Sequence, residues 1–331
     1  MHPDDPVFVA GHTGLAGSAI VRALRAGGHR RLVTVAHREL DLEDRAATMA
    51  LFRQERPRYV FLAAARVGGI AANQHHPVDF LMRNLAIEAN VIAAAAAHGV
   101  ERLLFLGSSC IYPRDCPQPI REEFLLTGPL EPTNRAYAIA KIAGIEMCRA
   151  YNRQQGCGFL AAMPTNLYGP NDCYELEQAH VLPALLRKIH EAAARGAPAV
   201  TVWGSGTPRR EFLHADDLAS ALLHLMRLDA AAYGGLLDAP CGPLINIGSG
   251  DELSIATLAR VLAQALGYLG QLRFDPERPD GTPRKLLDGA RLRALGWAPA
   301  ISLDQGIAGA CADFRKRFAA APGAPARRQL D

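Results

Sequence analysis

Residues 103–113 read LLFLGSSCIYP, and chemistry could sit in the polar cluster at their centre. An apolar run, Leu103 to Leu106, breaks at Gly107 and runs into Ser108, Ser109 and Cys110. A buried strand needs no such cluster at its end, whereas ligand sites of open α/β sheets gather there. In an extended segment side chains alternate faces, which puts Ser108 and Cys110 on one face and Ser109 on the other. Ser109 then reads as a structural hydroxyl bonding the turn. Strand geometry alone leaves Cys110 open between a small buried hydrophobe and a proton carrier.

The second constellation is YAIAK, with Tyr137 and Lys141 four residues apart and so on one helix face. An ammonium beside a phenol favours the phenolate and lowers its pKa from about 10. A tyrosine tuned in that way can exchange a proton with a carbinol oxygen. An isolated pair with this spacing is usually a surface pair. Its position after a dinucleotide loop and a polar strand end makes the catalytic reading the better one.

That loop is VFVAGHTGLAG, which places Gly11, Gly14 and Gly17 between a strand and a helix. Glycines here permit a tight turn and let a pyrophosphate approach the helix N-terminus, where free N–H groups favour negative charge. The next strand ends in Ala36, His37 and Arg38, basic where an NAD site usually has an acid, which suits a 2′-phosphate. Glu39 and Asp41 follow closely, so NADP is favoured over NAD without excluding it.

These residues need a scaffold that brings them together. Strand patterns at 7–10, 32–36, 59–65, 103–108 and 158–165 alternate with helical patterns at about 15–26, 44–55, 77–98 and from Tyr137. This alternation predicts an α/β fold of Rossmann type, a doubly wound parallel sheet. After residue 168 the pattern loosens. Helices are expected over 181–195 and from SIATLARVLAQAL, with Ser254 as N-cap, and a strand in LINIGSG. The expected division is a Rossmann domain of residues 1–168 plus about 212–249, and a smaller discontinuous substrate domain of about 169–211 plus 250–318. The tail 319–331 is expected to fray.

Composition narrows the function further. A net charge of +3 with no long Lys/Arg run argues against nucleic acid. The most apolar segments are short or broken by charges, and the N-terminus lacks a signal-like stretch, so no membrane partner is expected. The seven cysteines (110, 116, 148, 157, 173, 241 and 311) include no CxxC and are odd in number. They point to free thiols in a reducing cytoplasm, with no disulfide or zinc framework, and no metal is expected.

The set GHTGLAGSAI, LAAARVGGI, LFLGSSCIYP, EPTNRAYAIAK, PTNLYGPND, HVLPALL, VWGSGTPRREFLH and PDGTPRKLLD resembles the GDP-L-fucose synthase family of extended short-chain dehydrogenases/reductases. The resemblance runs from about residue 7 to 318. It implies a homodimer that epimerises GDP-4-keto-6-deoxy-D-mannose at C3 and C5 and then reduces the C4 ketone with NADPH. It implies that Ser108 and Tyr137 bind the C4 oxygen, that Lys141 holds the nicotinamide ribose, and that Cys110 and His180 are base and acid for the carbon protons. It also implies cofactor contacts from Gly11, His12, Thr13, Gly14, Leu15, Ala16 and Gly17, from His37, Arg38, Asp41 and Leu42, and from Leu106, Gly107, Ser108 and Ser109. Lys141, Pro164, Thr165, Asn166, Leu167 and His180 complete them. Substrate contacts fall to Lys188, Trp203, Arg210 and Asp280, with Lys285 toward the phosphates.

Two departures stand out. Val35 and His37 replace arginines of well-known bacterial members, which weakens the NADP preference, and the loop NDCYELEQAH differs before His180 and offers Cys173 as an exposed thiol. Two other readings compete. A nucleotide-sugar 4-epimerase or simple 4-ketoreductase with bound NAD needs no Cys110/His180 pair. A non-catalytic cofactor-sensing module would lack part of Ser108, Tyr137 and Lys141.

Overall fold

The computed structural model describes residues 1–319; the expected fraying of 319–331 concerns residues that, beyond 319, lie outside them. In chain order the first half contains β1 (Val7–Ala10), α1 (Leu15–Ala26), β2 (Leu32–Val33), α2 (Arg45–Glu55), β3 (Tyr59–Leu62), α3 (Ile70–His75), α4 (Pro77–Ala97), β4 (Arg102–Leu106), α5 (Arg135–Gln155) and β5 (Phe159–Pro164). The second half contains β6 (Asn166–Tyr168), α6 (Val181–Arg195), β7 (Ala199–Trp203), β8 (Arg209–His214), α7 (Ala215–Arg227), α8 (Ala230–Leu237) and β9 (Leu244–Ile247). It continues with β10 (Glu252–Ser254), α9 (Ile255–Leu266), β11 (Gln271–Asp275), β12 (Arg284–Lys285), α10 (Ala290–Ala294) and α11 (Leu303–Ala319).

Six parallel strands form the main sheet in the order β2-β1-β3-β4-β5-β9. Every residue of β1, β3, β5 and β9 is buried, as continuous apolar runs covered on both faces require. Alternation divides β1 between two cores: Val7 and Val9 face α1 and α7, and Phe8 and Ala10 face α2, α4 and α5. A third core, built on α6, α9 and α11, lies outside this sheet and gathers Leu186, Ile189, Leu258, Leu262 and Phe314. Each fully buried Leu or Phe contributes about 1.5–3 kcal/mol.

The structure corrects two expectations. The second strand pairs with β1 only through Leu32 and Val33, opposite Val7 and Phe8, although β1 itself continues to Ala10. β8 does not join the main sheet; it pairs with β10, β12 and β6, so the segment from about 212 begins in a separate four-stranded sheet and returns at β9. Among the described helices α4 is long and apolar enough to cross a membrane by length and composition, although its buried face, including Phe80, Val91 and Ile92, packs within the protein.

Candidate active site

The order of the main sheet reverses direction between β1 and β3, and that switch point opens a crevice at the carboxyl ends of the strands. The glycine loop fills its floor. Gly11 has φ +80°, and a Cβ there would lie 2.7 Å from the backbone nitrogen of Ala64, just beyond β3. A Cβ on Gly17 would collide with the Gly11 carbonyl oxygen. Only glycine lets the turn fold this tightly against α1. The first turn of α1 contains no acidic residue and its cap, Gly14, has no side chain to consume the free N–H groups. These features fit a pyrophosphate between His12, Thr13 and the turn of Leu15 and Ala16.

At the rim of β2, His37 and Arg38 are exposed. The Glu39 carboxylate folds back to accept from the Ala36 backbone nitrogen at 3.1 Å. Asp41 sits 3.8 Å from His37. The two nearby acids are thus engaged locally and Arg38 is left facing solvent. Leu42, half-buried, packs beneath them against Phe52's core.

Next along the crevice is the end of β4. The strand stops at Leu106, and Ser109–Ile111 form a 3-10 turn, so the extended alternation expected here does not continue. The Ser108 hydroxyl accepts from the Cys110 backbone N–H at 3.3 Å and starts that turn. Ser108 and Cys110 remain half-buried beside the crevice while Ser109 is buried, an outcome set by the turn and not by strand pleating.

Helix α5 brings Tyr137 and Lys141 alongside. Gly144, one turn beyond Lys141, makes the approach possible: a Cβ there would strike the Phe105 ring of β4 and come within 2.8 Å of Glu88 Oε2. Tyr137 packs edge-on against Phe80 at 6.2 Å between centroids. Lys141, 1% exposed, lies 4.7 Å from the centre of the Phe105 ring.

The partner of Lys141 is unexpected. Its Nζ lies 3.1 Å from Oε1 of Glu88, which projects from α4 and is fully buried. Neither Glu88 oxygen accepts a well-aligned hydrogen bond, and burial raises this carboxyl above its ordinary range against the pull of Lys141. The expectation that Lys141 lowers the Tyr137 phenol is overturned. Burial pushes the phenol well above its usual value, the Cys110 and Glu88 side chains add to the rise, and only the Ser108 hydroxyl opposes it. Lys141 sits 5.8 Å from the Tyr137 ring centre with its charge answered by Glu88. Tyr137 is therefore held as a neutral phenol, the form that donates a proton. A glutamate inside an amphipathic helix normally faces water, so periodicity gave no sign of Glu88.

The opposite wall comes from the second half of the chain. His180 stands at the N-cap of α6, and its ring does not cap the helix. It is open to the cleft, yet the surrounding protein, with the Lys285 ammonium adding to the effect, lowers the imidazole below its ordinary value. Thr165 and Asn166 both donate to the Glu211 carbonyl, at 3.1 and 2.8 Å, so their side chains brace β8. Pro164 is buried and Leu167 half-buried beside them.

Among the substrate candidates, Trp203 is 46% exposed and lies between Lys188 Nζ at 4.6 Å and the Arg278 guanidinium at 5.0 Å from its ring centre. Among the described residues Arg210 donates only to backbone carbonyls, of Arg209 at 2.8 Å and Asp280 at 3.3 Å. The Asp280 carboxylate is occupied by the Ser205 backbone nitrogen and hydroxyl, each at 2.8 Å, and so fixes the turn after β7. Lys285 is buried and reaches Cys110, where its Nζ lies 3.6 Å from Sγ; Asn134 Nδ2 lies 3.1 Å from the same sulfur. Cys173 is half-buried and burial raises its thiol, so it is not the exposed thiol expected. All seven cysteines are unpaired, and among the described residues no group of three His, Cys, Asp or Glu side chains could hold a metal ion.

Comparison with known proteins agrees with this geometry. The model of the NAD dependent epimerase/dehydratase family matches residues 7–239. GDP-L-fucose synthase 1 of Arabidopsis thaliana is 54% identical over 301 residues, covering 91% of this chain and 90% of that protein. A GDP-L-fucose synthetase from Naegleria fowleri, solved bound to NADP, superposes with TM-score 0.84 at 29% identity and 96% coverage of both chains. A GDP-6-OMe-4-keto-L-xylo-heptose reductase from C. jejuni superposes with TM-score 0.90 at 34% identity, covering 96% of this chain and 99% of that one. With a glycine loop, a Ser108–Tyr137–Lys141 constellation and a relative more than half identical along nearly all of its length, the chain belongs to the NAD dependent epimerase/dehydratase family and, within it, to the GDP-L-fucose synthases.

Proposed function

We propose that this chain is a bifunctional 3,5-epimerase and NADPH-dependent 4-reductase that converts GDP-4-keto-6-deoxy-D-mannose to GDP-L-fucose. The observation that carries the reading is Cys110 beside Ser108 and Tyr137, held by Asn134 and Lys285. A 4-epimerase or plain 4-ketoreductase uses the tyrosine and lysine and has no need of a thiol there.

The C3 and C5 protons are acidic because both carbons flank the C4 ketone. Ser108 and Tyr137 hydrogen-bond the C4 oxygen and stabilise the charge that develops on it. Cys110 removes the carbon proton and His180 returns one on the other face, since inversion takes two groups across the ring. When bound, NADPH supplies the hydride to C4. Tyr137, kept neutral by its surroundings, donates the proton to the carbinol oxygen. Lys141 orients the nicotinamide ribose. Arg38, with the neighbouring acids turned aside, meets the 2′-phosphate, while Arg210 and Lys188 meet the diphosphate and Trp203 packs on the sugar or guanine.

The six-stranded sheet and its helices form the NADP domain, and the segments 169–211 and 250–318 form the substrate domain in this reading, with β8 as the hinge-side strand between them. Exposed Val78 and Met82 on α4 and Ile139 on the adjoining α5 support a homodimer through these helices. The free cysteines support a cytoplasmic setting, with neither membrane nor nucleic acid as a partner. The test is incubation with GDP-4-keto-6-deoxy-D-mannose and NADPH in D2O. GDP-L-fucose deuterated at C3 and C5, with one NADPH consumed per turnover, is expected; a GDP-6-deoxy-hexose without deuterium at either carbon would leave only a reductase. Light scattering on a size-exclusion column reads the dimer.

A further inference from the structure

β12 and β8 run parallel with Lys285 opposite Arg210. Alternation along β12 sends Arg284 outward, where it pairs with Glu252 at 2.8 Å, and Lys285 inward. Two like charges directly opposite each other on a sheet destabilise it. Lys285 and Arg210 take this arrangement with no carboxylate in ion-pair contact among the described residues. Arg210 is the more accessible of the two and among the described residues hydrogen-bonds only carbonyls. Lys285 is 8% exposed, and among the described residues its one side-chain hydrogen-bond contact is the Cys110 sulfur.

We propose that Lys285 is a positioning residue for proton transfer, holding Cys110 as the thiolate, and not a ligand of the substrate diphosphate. The proposal rests on the epimerase reading above. The groups that face the Cys110 sulfur are the Lys285 ammonium from β12, the Asn134 amide at the start of α5, the Tyr137 phenol one turn further on, and the Arg210 guanidinium from β8. Both charged members are cations, and the hydrogen-bonding amide donates; each favours sulfur in its anionic form. The thiolate takes the proton from C3 or C5: the C–H bond breaks, the S–H bond forms, and the electron pair moves onto the C4 oxygen. The imidazolium of His180 returns a proton to the carbon, and solvent then resets thiol and imidazole. Burial, with the same ammonium adding to it, disfavours a charged His180, which makes the protonated ring the readier proton donor.

The experiment uses the full-length protein and its Lys285→Met and Lys285→Arg variants. Deuterium entry at C3 and C5 is measured by NMR, NADPH oxidation by absorbance, and iodoacetamide labelling of the Cys110 peptide by mass spectrometry as a function of pH. In Lys285→Met, exchange at carbon should fall by at least about tenfold, the size of effect that follows from one pH unit of lost thiolate stabilisation. The KM for the GDP-sugar should change by less than about threefold, because Arg210 and Lys188 keep the diphosphate. Labelling of Cys110 should need a higher pH to reach half its maximal rate, and Lys285→Arg should restore most of the exchange. A KM raised more than about tenfold, with labelling and the ratio of exchange to reduction unchanged, assigns Lys285 to the diphosphate and overturns the proposal. If the wild type itself exchanges no carbon proton, it is the epimerase reading that has failed. The labelling profile needs no substrate and still tests the contact between Lys285 and Cys110, and a pattern like that of the wild type in Lys285→Met overturns it.

Discussion

Replacing Glu88 with glutamine should unbalance the most buried charge in the crevice. The pair with Lys141 has side-chain exposures of 2% for the lysine and 0% for the glutamate. Glu88→Gln keeps the shape but leaves the ammonium without its counter-charge, and removing one partner of a buried pair costs about 3–5 kcal/mol. The cost has a ceiling. A lysine with an ordinary pKa near 10.4 loses its proton at pH 7 for about 1.36 kcal/mol per unit, or roughly 5 kcal/mol, so beyond that the amine becomes neutral. The loss should therefore shrink at pH 9, where deprotonation is easier. The double variant Glu88→Leu/Lys141→Met should recover most of the stability, since an apolar pair of similar volume replaces the charges without their desolvation cost. Urea denaturation followed by circular dichroism at both pH values measures all three proteins. If Glu88→Gln unfolds within about 1 kcal/mol of the wild type at pH 7, the pair is not the buried ion pair described and Lys141 has another source of compensation.

Four further outcomes are expected. Arg38→Ala removes a charge-assisted contact at an exposed site, so the KM for NADPH should rise about tenfold, the low end of such contacts, with NADH nearly unaffected; equal losses with both cofactors refute the assignment. Tyr137→Phe should slow C4 reduction by about 100-fold or more with NADPH binding retained, while Cys110→Ala should stop deuterium entry at C3 and C5 and leave some ketone reduction, both read by NMR of the sugar product. Asp172 is buried and desolvation raises its carboxyl to about 7, so the folded protein keeps a proton that the unfolded chain releases near pH 4. Stability from this group is complete below the unfolded value and is lost as pH rises toward 7, so Asp172→Asn should raise the melting temperature at pH 8, by up to about 4 kcal/mol of stability, and change it little at pH 4.

What could be read directly in the chain was what neighbours in sequence decide. The glycine loop, the apolar runs of the main sheet and the helices from Tyr137 and Val181 lie where local pattern puts them, and Ser254 caps α9 by accepting from the Thr257 backbone nitrogen. What escaped depends on distant partners. The turn at Ser109 replaces a strand because β4 leaves β5 after Gly107, whose N–H makes the last bond to the Ala162 carbonyl. The Tyr137 phenol rises because burial desolvates it, with the Cys110 and Glu88 side chains adding to the rise, and Glu88 comes from α4, 53 residues before Lys141 in the chain. Asp280 and Lys285 looked alike as matching charges on a loop, yet one fixes the turn after β7 and the other reaches Cys110, 175 residues away. No period or propensity within either segment carries that information.

The return of the chain through β8, β9 and β12 also bears on the order in which the protein is made. A ribosome releases the glycine loop, Ser108, Cys110, Tyr137 and Lys141 first, and β5, the neighbour of β4, soon after. The outer strand β9 follows some 80 residues later, and Lys285 later still. Throughout that interval the flank of β5 and the helix-facing apolar surface beside it lack their cover, since Ile245 and Ile247 have yet to arrive. Until β9 arrives the flank of β5 is an open sheet edge, the kind of surface on which other unfinished chains pair.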